Sequence, residues 1–270
     1  MTSPEQKREK LRSILRSYGS VLVAFSGGVD STFLLKAAVD TLGDRVVAFT
    51  EASPLHHSWE LTEARELAEQ LGVRQIVHES AEPGSPEFTA NPPERCYLCK
   101  KGIFAKALRL AGELGLAEVV DGSNVDDLSE YRPGRRALEE LQIKSPLLEA
   151  GFTKAEIRLL SQNLGLPTWN RQSLACLASR FPYGTSITPE RLRQVESCEL
   201  FLRTEGFPVF RVRYHGDSAR IEVTVADIAR LSVSPLRERV VAHFKDAGFA
   251  YVTVDLQGFR SGSMDELIER

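Results

Sequence analysis

Two hydrophobic periods alternate along the first half of the chain. Short apolar, β-branched runs at Ser20–Phe25 (SVLVAF), Arg45–Thr50 (RVVAFT), Val73–His78 and Ala117–Asp121 (AEVVD) predict four strands. Between the first two, Thr32–Leu42 carries Phe33, Leu34, Ala37, Ala38 and Leu42 at helical spacing, and Trp59–Leu71 predicts a second helix that Gly72 ends. Strands recurring about every 25–30 residues with a helix between them have the rhythm of βαβ units, and so of a parallel sheet covered on both faces.

Between Ser80 and Arg95 the pattern gives way to Pro83, Gly84, Pro86, Pro92 and Pro93, an irregular loop that delivers Cys96 and Cys99 to a helix starting near Lys100. Thr153-Lys-Ala-Glu156 has the form of a capping box, opening a helix that Gly165 closes. Pro167–Gly184 reads as a second long loop, and the domain boundary is set at its end, giving domains 1–184 and 185–270. After it, Thr188 and Pro189 start a helix that runs to about Glu205. Val209–Tyr214 and Arg220–Thr224 are strands joined by His215-Gly216-Asp217-Ser218, followed by a helix from Pro235 and a strand Tyr251–Leu256. The fold class expected is α/β, a doubly wound parallel sheet with a small C-terminal α+β domain.

Composition narrows the function. The chain has 270 residues, 42% of them apolar and 26% charged, with a net charge of −3, which excludes a fibre, a disordered tail and a membrane protein. Met1–Leu15 is charged and lacks an apolar export segment, and no stretch approaches the roughly 18 apolar residues of a membrane span, so the expectation is a cytoplasmic protein. The slightly acidic balance disfavours a broad nucleic-acid-binding surface. Four cysteines at 96, 99, 176 and 198 are too few and too uneven for a disulfide framework, which leaves them for chemistry.

Ser26-Gly-Gly-Val-Asp-Ser31 follows the first strand and opens the first helix. A glycine pair lets backbone N–H groups approach a ligand, and the helix amino terminus adds a positive dipole end, so the turn favours an anion such as phosphate. The Lys-Ser/Thr pair of a Walker loop is missing. The string instead resembles the PP-loop of the ATP pyrophosphatases, which split ATP between its α and β phosphates to adenylate a substrate. That resemblance implies that Ser26, Gly27, Gly28 and Ser31 hold pyrophosphate, that Asp30 holds Mg²⁺, and that adenosine lies near Thr50 and Glu51. Mg²⁺ is needed because the departing phosphates carry charge that a cation offsets.

Cys96-Tyr-Leu-Cys99 is by itself compatible with a redox pair, half a zinc site or part of an iron–sulfur ligand set. Cys176 offers a third thiolate. Cys198, flanked by Glu196 and Glu199 inside a helix, reads as a structural residue; His56, His57 and His243 read as loop and helix surface. Arg211 and Arg213, two apart on a strand, project to one face, opposite Phe210, Val212 and Tyr214, where Arg180 could join them.

Asp121-Gly-Ser-Asn, Tyr131-Arg-Pro-Gly134, Ser179-Arg-Phe-Pro-Tyr-Gly184, Arg211-Val-Arg213, Arg220-Ile-Glu222 and Gly258-Phe-Arg-Ser-Gly262 together resemble the LarE family of ATP-dependent sulfur transferases, over nearly the whole chain. The resemblance implies adenylation of a carboxylate of pyridinium-3,5-biscarboxylic acid mononucleotide, then sulfur transfer to give a thiocarboxylate, in the assembly of the nickel-pincer nucleotide of lactate racemase. It gives Arg180, Arg211 and Arg213 to the substrate phosphate, and Glu199 and Glu222 to a divalent metal or a subunit interface. It further implies a homo-oligomer, a trimer-based hexamer, partnered by sulfide or a sulfur donor and by the other enzymes of that pathway. One branch sacrifices its own cysteine near SRFPYG; Cys176 lies four residues before Arg180, where five are expected. The trio Cys96, Cys99 and Cys176 resembles the three-cysteine branch, in which a 4Fe-4S cluster carries an added sulfide. Rival readings are an amide-forming ligase like NAD synthetase, a tRNA thiolase, and a zinc-stapled nucleotide sensor.

Overall fold

The computed structural model describes residues 3–80, 84–128, 133–172, 175–260 and 262–264. The chain runs α1 (Pro4–Tyr18), β1 (Val21–Ala24), α2 (Val29–Leu42), β2 (Val46–Ala52), α3 (Ser58–Gln70) and β3 (Arg74–Glu79). Then come α4 (Pro86–Thr89), α5 (Arg95–Glu113), β4 (Glu118–Val120), α6 (Gly134–Glu140), α7 (Pro146–Ala150) and α8 (Lys154–Asn163). The last third holds α9 (Pro189–Thr204), β5 (Phe210–His215), β6 (Ser218–Val223), α10 (Ile228–Leu231), α11 (Leu236–Asp246) and β7 (Tyr251–Val254). Among the described residues no helix is long and apolar enough to cross a membrane.

Contacts divide the chain into two units, Met1–Ser80 with Glu94–Leu174, and Ala81–Pro93 with Ala175–Arg270. The sequence places a single boundary at residue 184; the second unit instead opens at Ala175 and also takes in the proline-rich stretch ahead of the cysteine pair. Backbone pairing is the reason. Ile187 N–H donates to Thr89 O at 2.8 Å, Gly184 N–H to Asn91 O at 2.9 Å, and the buried Asn91 amide to Pro182 O at 2.8 Å.

In the first unit the sheet is wholly parallel, with strand order β3-β2-β1-β4. Alternate residues of the two central strands supply two separate cores. Val21, Val23, Val46 and Ala48 pack with α1, α2, α3, α7 and α8, while Leu22, Val47 and Phe49 pack with α5 and α6. That double coverage confirms the doubly wound reading and explains why β1 and the first four residues of β2 are continuously apolar rather than alternating. Residues 4–18, legible in sequence only as a charged segment, form α1. Ser3 and Gln6 close a capping box there, and Leu11 and Leu15, one turn apart, are fully buried. The second unit carries β5-β6-β7, antiparallel then parallel, with α9 and α11 packed on it.

Strand order sets the position of the site. The chain builds β2 and β3 on one side of β1 and then returns to the other side for β4, so the loops leaving β1 and β4 meet at a topological switch point, where open α/β sheets bind ligands. Phe152 supports this end of the sheet. Its ring stands edge-on to Phe33 of α2 at 5.6 Å, and its carbonyl accepts the Val125 N–H of the β4 loop at 2.9 Å. Phe152→Ala is expected to cost about 3–5 kcal/mol, measured as a lower urea midpoint with the far-UV circular dichroism of the native state unchanged.

Candidate active site

At the end of β1, Thr50 Oγ1 donates to Phe25 O at 2.7 Å and fixes the strand exit. Gly27 then turns with φ +72°, and a Cβ there would stand 3.3 Å from the Ala64 Cβ of α3. Gly28 caps α2 without a side-chain acceptor, which leaves the helix amino terminus open to an anion. The two serines of the motif tie the turn together. Ser26 N–H donates to Ser31 Oγ at 3.3 Å, Gly28 N–H to Ser26 Oγ at 3.4 Å, and the Ser31 hydroxyl to Gly28 O at 3.2 Å. Ser26, Gly27, Gly28 and Ser31 are therefore tied into one turn at the start of α2.

Asp30 sits on the first turn of α2 with one carboxylate oxygen on the Lys154 ammonium and the other buried without a hydrogen-bond partner among the described residues. Burial raises its pKa, against the pull of Lys154. A buried acceptor with an oxygen to spare suits a hard cation, so Asp30 fits the Mg²⁺ that the motif implies. The β4 loop closes on the same turn. A Cβ at Gly122 would lie 3.1 Å from Ser31 N, so this glycine permits the approach. Asp121 accepts from Ser145 Oγ at 2.6 Å and from Ser123 Oγ at 2.5 Å, which fixes that loop.

Sequence reasoning missed four charged residues here. Asp126 and Asp127 follow Asn124 in the β4 loop, Lys154 opens α8, and Arg171 donates to Gly27 O at 2.6 Å while pairing with Glu63. Arg158 holds the carbonyls of Trp169 and Arg171 at 2.8 and 2.7 Å. The DD pair that begins four residues after Gly122 was the one signal available for the acids; nothing local marks Lys154 or Arg171. Glu51, expected beside adenosine, is a nearly buried strand residue between Lys106 at 2.9 Å and His78 at 3.0 Å. His57, read as surface, is instead 1% exposed. It begins α3, stacks on Trp59 with ring centroids 4.0 Å apart and shares its Nδ1 with Glu60 at 3.2 Å.

The cysteine pair is already helical. α5 begins at Arg95 rather than near Lys100, which places Cys96 and Cys99, three apart, on one face of its first turns, with Cys96 exposed. Tyr97 between them is pinned by α6. Its hydroxyl donates to Glu140 at 2.7 Å, and the Arg136 guanidinium lies 3.7 Å from its ring centre. Gly134 is required for that packing, since a Cβ would stand 2.8 Å from Lys100 Cδ and 3.2 Å from Cys96 O. Tyr131 and Arg132 of the same motif, and Ser261 of the C-terminal one, lie outside the described residues. Cys176 belongs to the second unit, at the start of a short 3-10 turn, Leu177–Arg180. Among the described residues no group of three or more His, Cys, Asp or Glu is gathered for a metal ion.

In the second unit the expected arginine fork divides. Arg180 is fully buried and its guanidinium is engaged within the protein. Nε and Nη2 each donate to Glu199 at 2.8 Å, and Nη1 reaches Ala175 O, Cys176 O and Ser179 Oγ at 2.5, 3.2 and 2.9 Å. Glu199 also accepts the Val212 N–H at 2.9 Å. Arg213 donates to Glu222 at 2.7 Å and to Ser263 at 3.0 Å, and Glu222 takes a second arginine, Arg220, at 3.1 Å. Both glutamates, expected at a metal or an interface, are thus fully buried counter-ions of arginine. Arg211, register partner of Glu222 on the same sheet face, stacks over Phe259 at 5.1 Å. Burial and the cationic Arg180 and Arg213 push its pKa down to about 10.

Two outcomes follow. Gly27→Ala is expected to weaken ATP binding at least tenfold by titration calorimetry, since φ +72° and the Ala64 contact both resist a side chain. Burial and the neighbouring Glu199 push the Cys198 thiol up to about 12, so it stays protonated at pH 8. Iodoacetamide treatment of the native protein at that pH, read by peptide mass spectrometry, should modify Cys96 and leave Cys198 unmodified.

Comparison with known proteins agrees with this geometry. A model of the asparagine synthase family matches residues 8–107. The pyridinium-3,5-bisthiocarboxylic acid mononucleotide synthase of Lactiplantibacillus plantarum is 40% identical over 271 residues, 100% of this chain and 98% of the relative. Uncharacterized proteins of Synechocystis sp. and Methanocaldococcus jannaschii are 41% and 32% identical, over 98% and 89% of this chain and 99% and 91% of their own lengths. Likeness over the full length, with the SGGVDS cradle seated between β1 and α2, establishes that the chain is an enzyme of the LarE family of PP-loop, ATP-dependent sulfur transferases.

Proposed function

We propose that the enzyme adenylates a carboxylate of pyridinium-3,5-biscarboxylic acid mononucleotide with ATP and then transfers sulfur to it, yielding a thiocarboxylate. The observation that carries this reading is the full-length 40% identity to the pyridinium-3,5-bisthiocarboxylic acid mononucleotide synthase, in a chain whose anion cradle is intact. A carboxylate is a poor acyl electrophile; as an acyl adenylate it has a leaving group, and a sulfur nucleophile can displace AMP. The cradle of Gly27, Gly28, Ser26 and Ser31 would bind the departing pyrophosphate. Asp30 would hold Mg²⁺, which when bound offsets phosphate charge. Arg211 and Arg213 would take the substrate phosphate, while Arg180 and Glu199 act as positioning residues for the strand and for the Cys176 turn.

Cys96, Cys99 and Cys176 supply a thiolate set suited to a 4Fe-4S cluster with one iron left open; bound there, the cluster would supply a replaceable sulfur nucleophile. Cys96 is exposed at the helix start, and the pinning of Tyr97 fixes the first turns of α5 that carry Cys96 and Cys99. In a second reading Cys176, at the start of the 3-10 turn that Arg180 closes, gives up its own sulfur. As in the family resemblance, a trimer-based homo-oligomer in the cytoplasm, supplied by sulfide or a sulfur donor, completes the proposal.

The test is anaerobic purification with iron and sulfide analysis, then intact mass and pyrophosphate release on adding ATP, Mg²⁺ and the mononucleotide. Mononucleotide-dependent pyrophosphate release with bound iron and an unchanged mass supports the cluster reading. Loss of one H₂S from Cys176 with no iron present supports the second. Activity that survives Cys96→Ser and depends on ammonia would overturn both in favour of an amide-forming ligase.

A further inference from the structure

The turn at Gly27 is gripped from a distant part of the chain. Arg171 donates from Nη1 to Gly27 O at 2.6 Å and pairs with Glu63 of α3. Glu63 directly precedes Ala64, the residue packed where a Gly27 Cβ would stand. One guanidinium therefore staples the turn to α3 beside the point where the two pack.

Arg171 is itself firmly placed. Its N–H donates to Thr168 O at 2.9 Å, and Arg158 of α8 holds the carbonyls of Trp169 and Arg171 at 2.8 and 2.7 Å. The guanidinium is thus delivered from a short turn that α8 fixes. Its charge is met by Glu63, and the two side chains are only 22% and 24% exposed. A cation already paired with a carboxylate is a poor partner for phosphate; what Arg171 controls is a direction.

That direction belongs to one peptide plane. In a trans peptide the carbonyl and the N–H point opposite ways, so the hold on Gly27 O also sets the Gly28 N–H, which lies on the side of Ser26 Oγ at 3.4 Å. With glycine on both sides the peptide can flip at little steric cost, because Gly28 accepts a positive φ as readily as its present −75°. A flip would turn the carbonyl oxygen to where the N–H now points. An anion at the amino terminus of α2 would then meet a partial negative charge in place of a donor. The long contact to Ser26 is a weak restraint against this; the 2.6 Å bond from a charged donor is a strong one.

We propose that Arg171 is a positioning residue for ATP: it locks the Gly27–Gly28 peptide with the carbonyl turned away from the phosphates, so that they meet N–H groups. The inference deepens the ATP-dependent reading above and rests on it. It requires the local order of the turn and the affinity for ATP to fall together, with the fold intact.

The test compares wild type, Arg171→Gln, Arg171→Lys and Glu63→Gln. Hydrogen exchange without nucleotide, read by mass spectrometry, should be about tenfold faster in Arg171→Gln for the peptide spanning residues 25–33, the effect of one lost charged hydrogen bond. Exchange in a peptide from β5 and β6 should not change. ATP with Mg²⁺, titrated by calorimetry, should bind Arg171→Gln about tenfold more weakly. Arg171→Lys keeps the charge but lacks the planar fork that spans Gly27 O and Glu63, so it should show both changes to a smaller degree. Glu63→Gln removes the counter-charge and leaves the bond to Gly27, and should bind ATP no more tightly than wild type.

Unchanged exchange in residues 25–33, unchanged ATP affinity in Arg171→Gln, or wild-type behaviour of Arg171→Lys would each overturn the proposal. Tighter ATP binding by Glu63→Gln would also overturn it, by showing that the charge of Arg171 acts on the phosphates directly. So would exchange rising equally in the β5 and β6 peptide, the mark of general loosening. Wild type failing to bind ATP with Mg²⁺ would instead overturn the ATP-dependent reading, and this inference with it.

Discussion

A phosphate chain is held at the amino end of a helix only if the polypeptide can enter that helix tightly enough to point its backbone N–H groups at the anion. Here that requirement falls on Gly27, which turns at φ +72° with Ala64 packed where a Cβ would stand 3.3 Å away. The remainder of the first unit is arranged around the turn. β1, central in the sheet and buried on both faces, aims it; α2 supplies the dipole; Gly122 lets the β4 loop close on Ser31 N; and Arg171 grips the Gly27 carbonyl from the segment after α8. Replacing any of these contacts with a bulkier or uncharged group would act on the same few N–H directions.

The second unit follows a different logic, that of buried charge. Arg180 with Glu199, and Arg213 with Glu222 and Arg220, place ion pairs where desolvation costs several kcal/mol per ion. Such pairs are weak contributors to stability but exacting about geometry: removing one partner leaves an uncompensated buried charge. Their value here is positional. Arg180 holds the carbonyls of Ala175 and Cys176, so the turn that bears the thiol is fixed by the same side chain that neutralises Glu199. Arg211, on the same sheet face as Glu222, stacks over Phe259 and donates to Phe210 O at 2.7 Å.

Much of this was legible in the chain itself because it is local. The four strands, the helices between them and the SGGVDS turn are written in short-range periodicity and in residue types that tolerate positive φ or cap a helix, so their positions were readable within a few residues. The spacing of Cys96 and Cys99, three apart, was legible whatever the fold. Local signals failed where helix propensity competes with punctuation: the prolines before Arg95 masked an α5 that starts early enough to include both cysteines, and the charge of residues 4–18 masked the Leu11–Leu15 stripe.

Sequence alone thus settled the fold class and the SGGVDS motif of the PP-loop, each determined by interactions spanning a turn or two of chain. Tertiary structure decided the rest. Strand order 3-2-1-4 brought the β4 loop to Ser31; pairing of Thr89 and Asn91 with residues 184 and 187 moved the proline-rich stretch into the second unit; and long-range ion pairing set Lys154 on Asp30 and Arg180 on Glu199. Those partners lie from 19 to 124 residues apart, and an ammonium or guanidinium carries no local mark of which distant carboxylate it will meet once the core has closed.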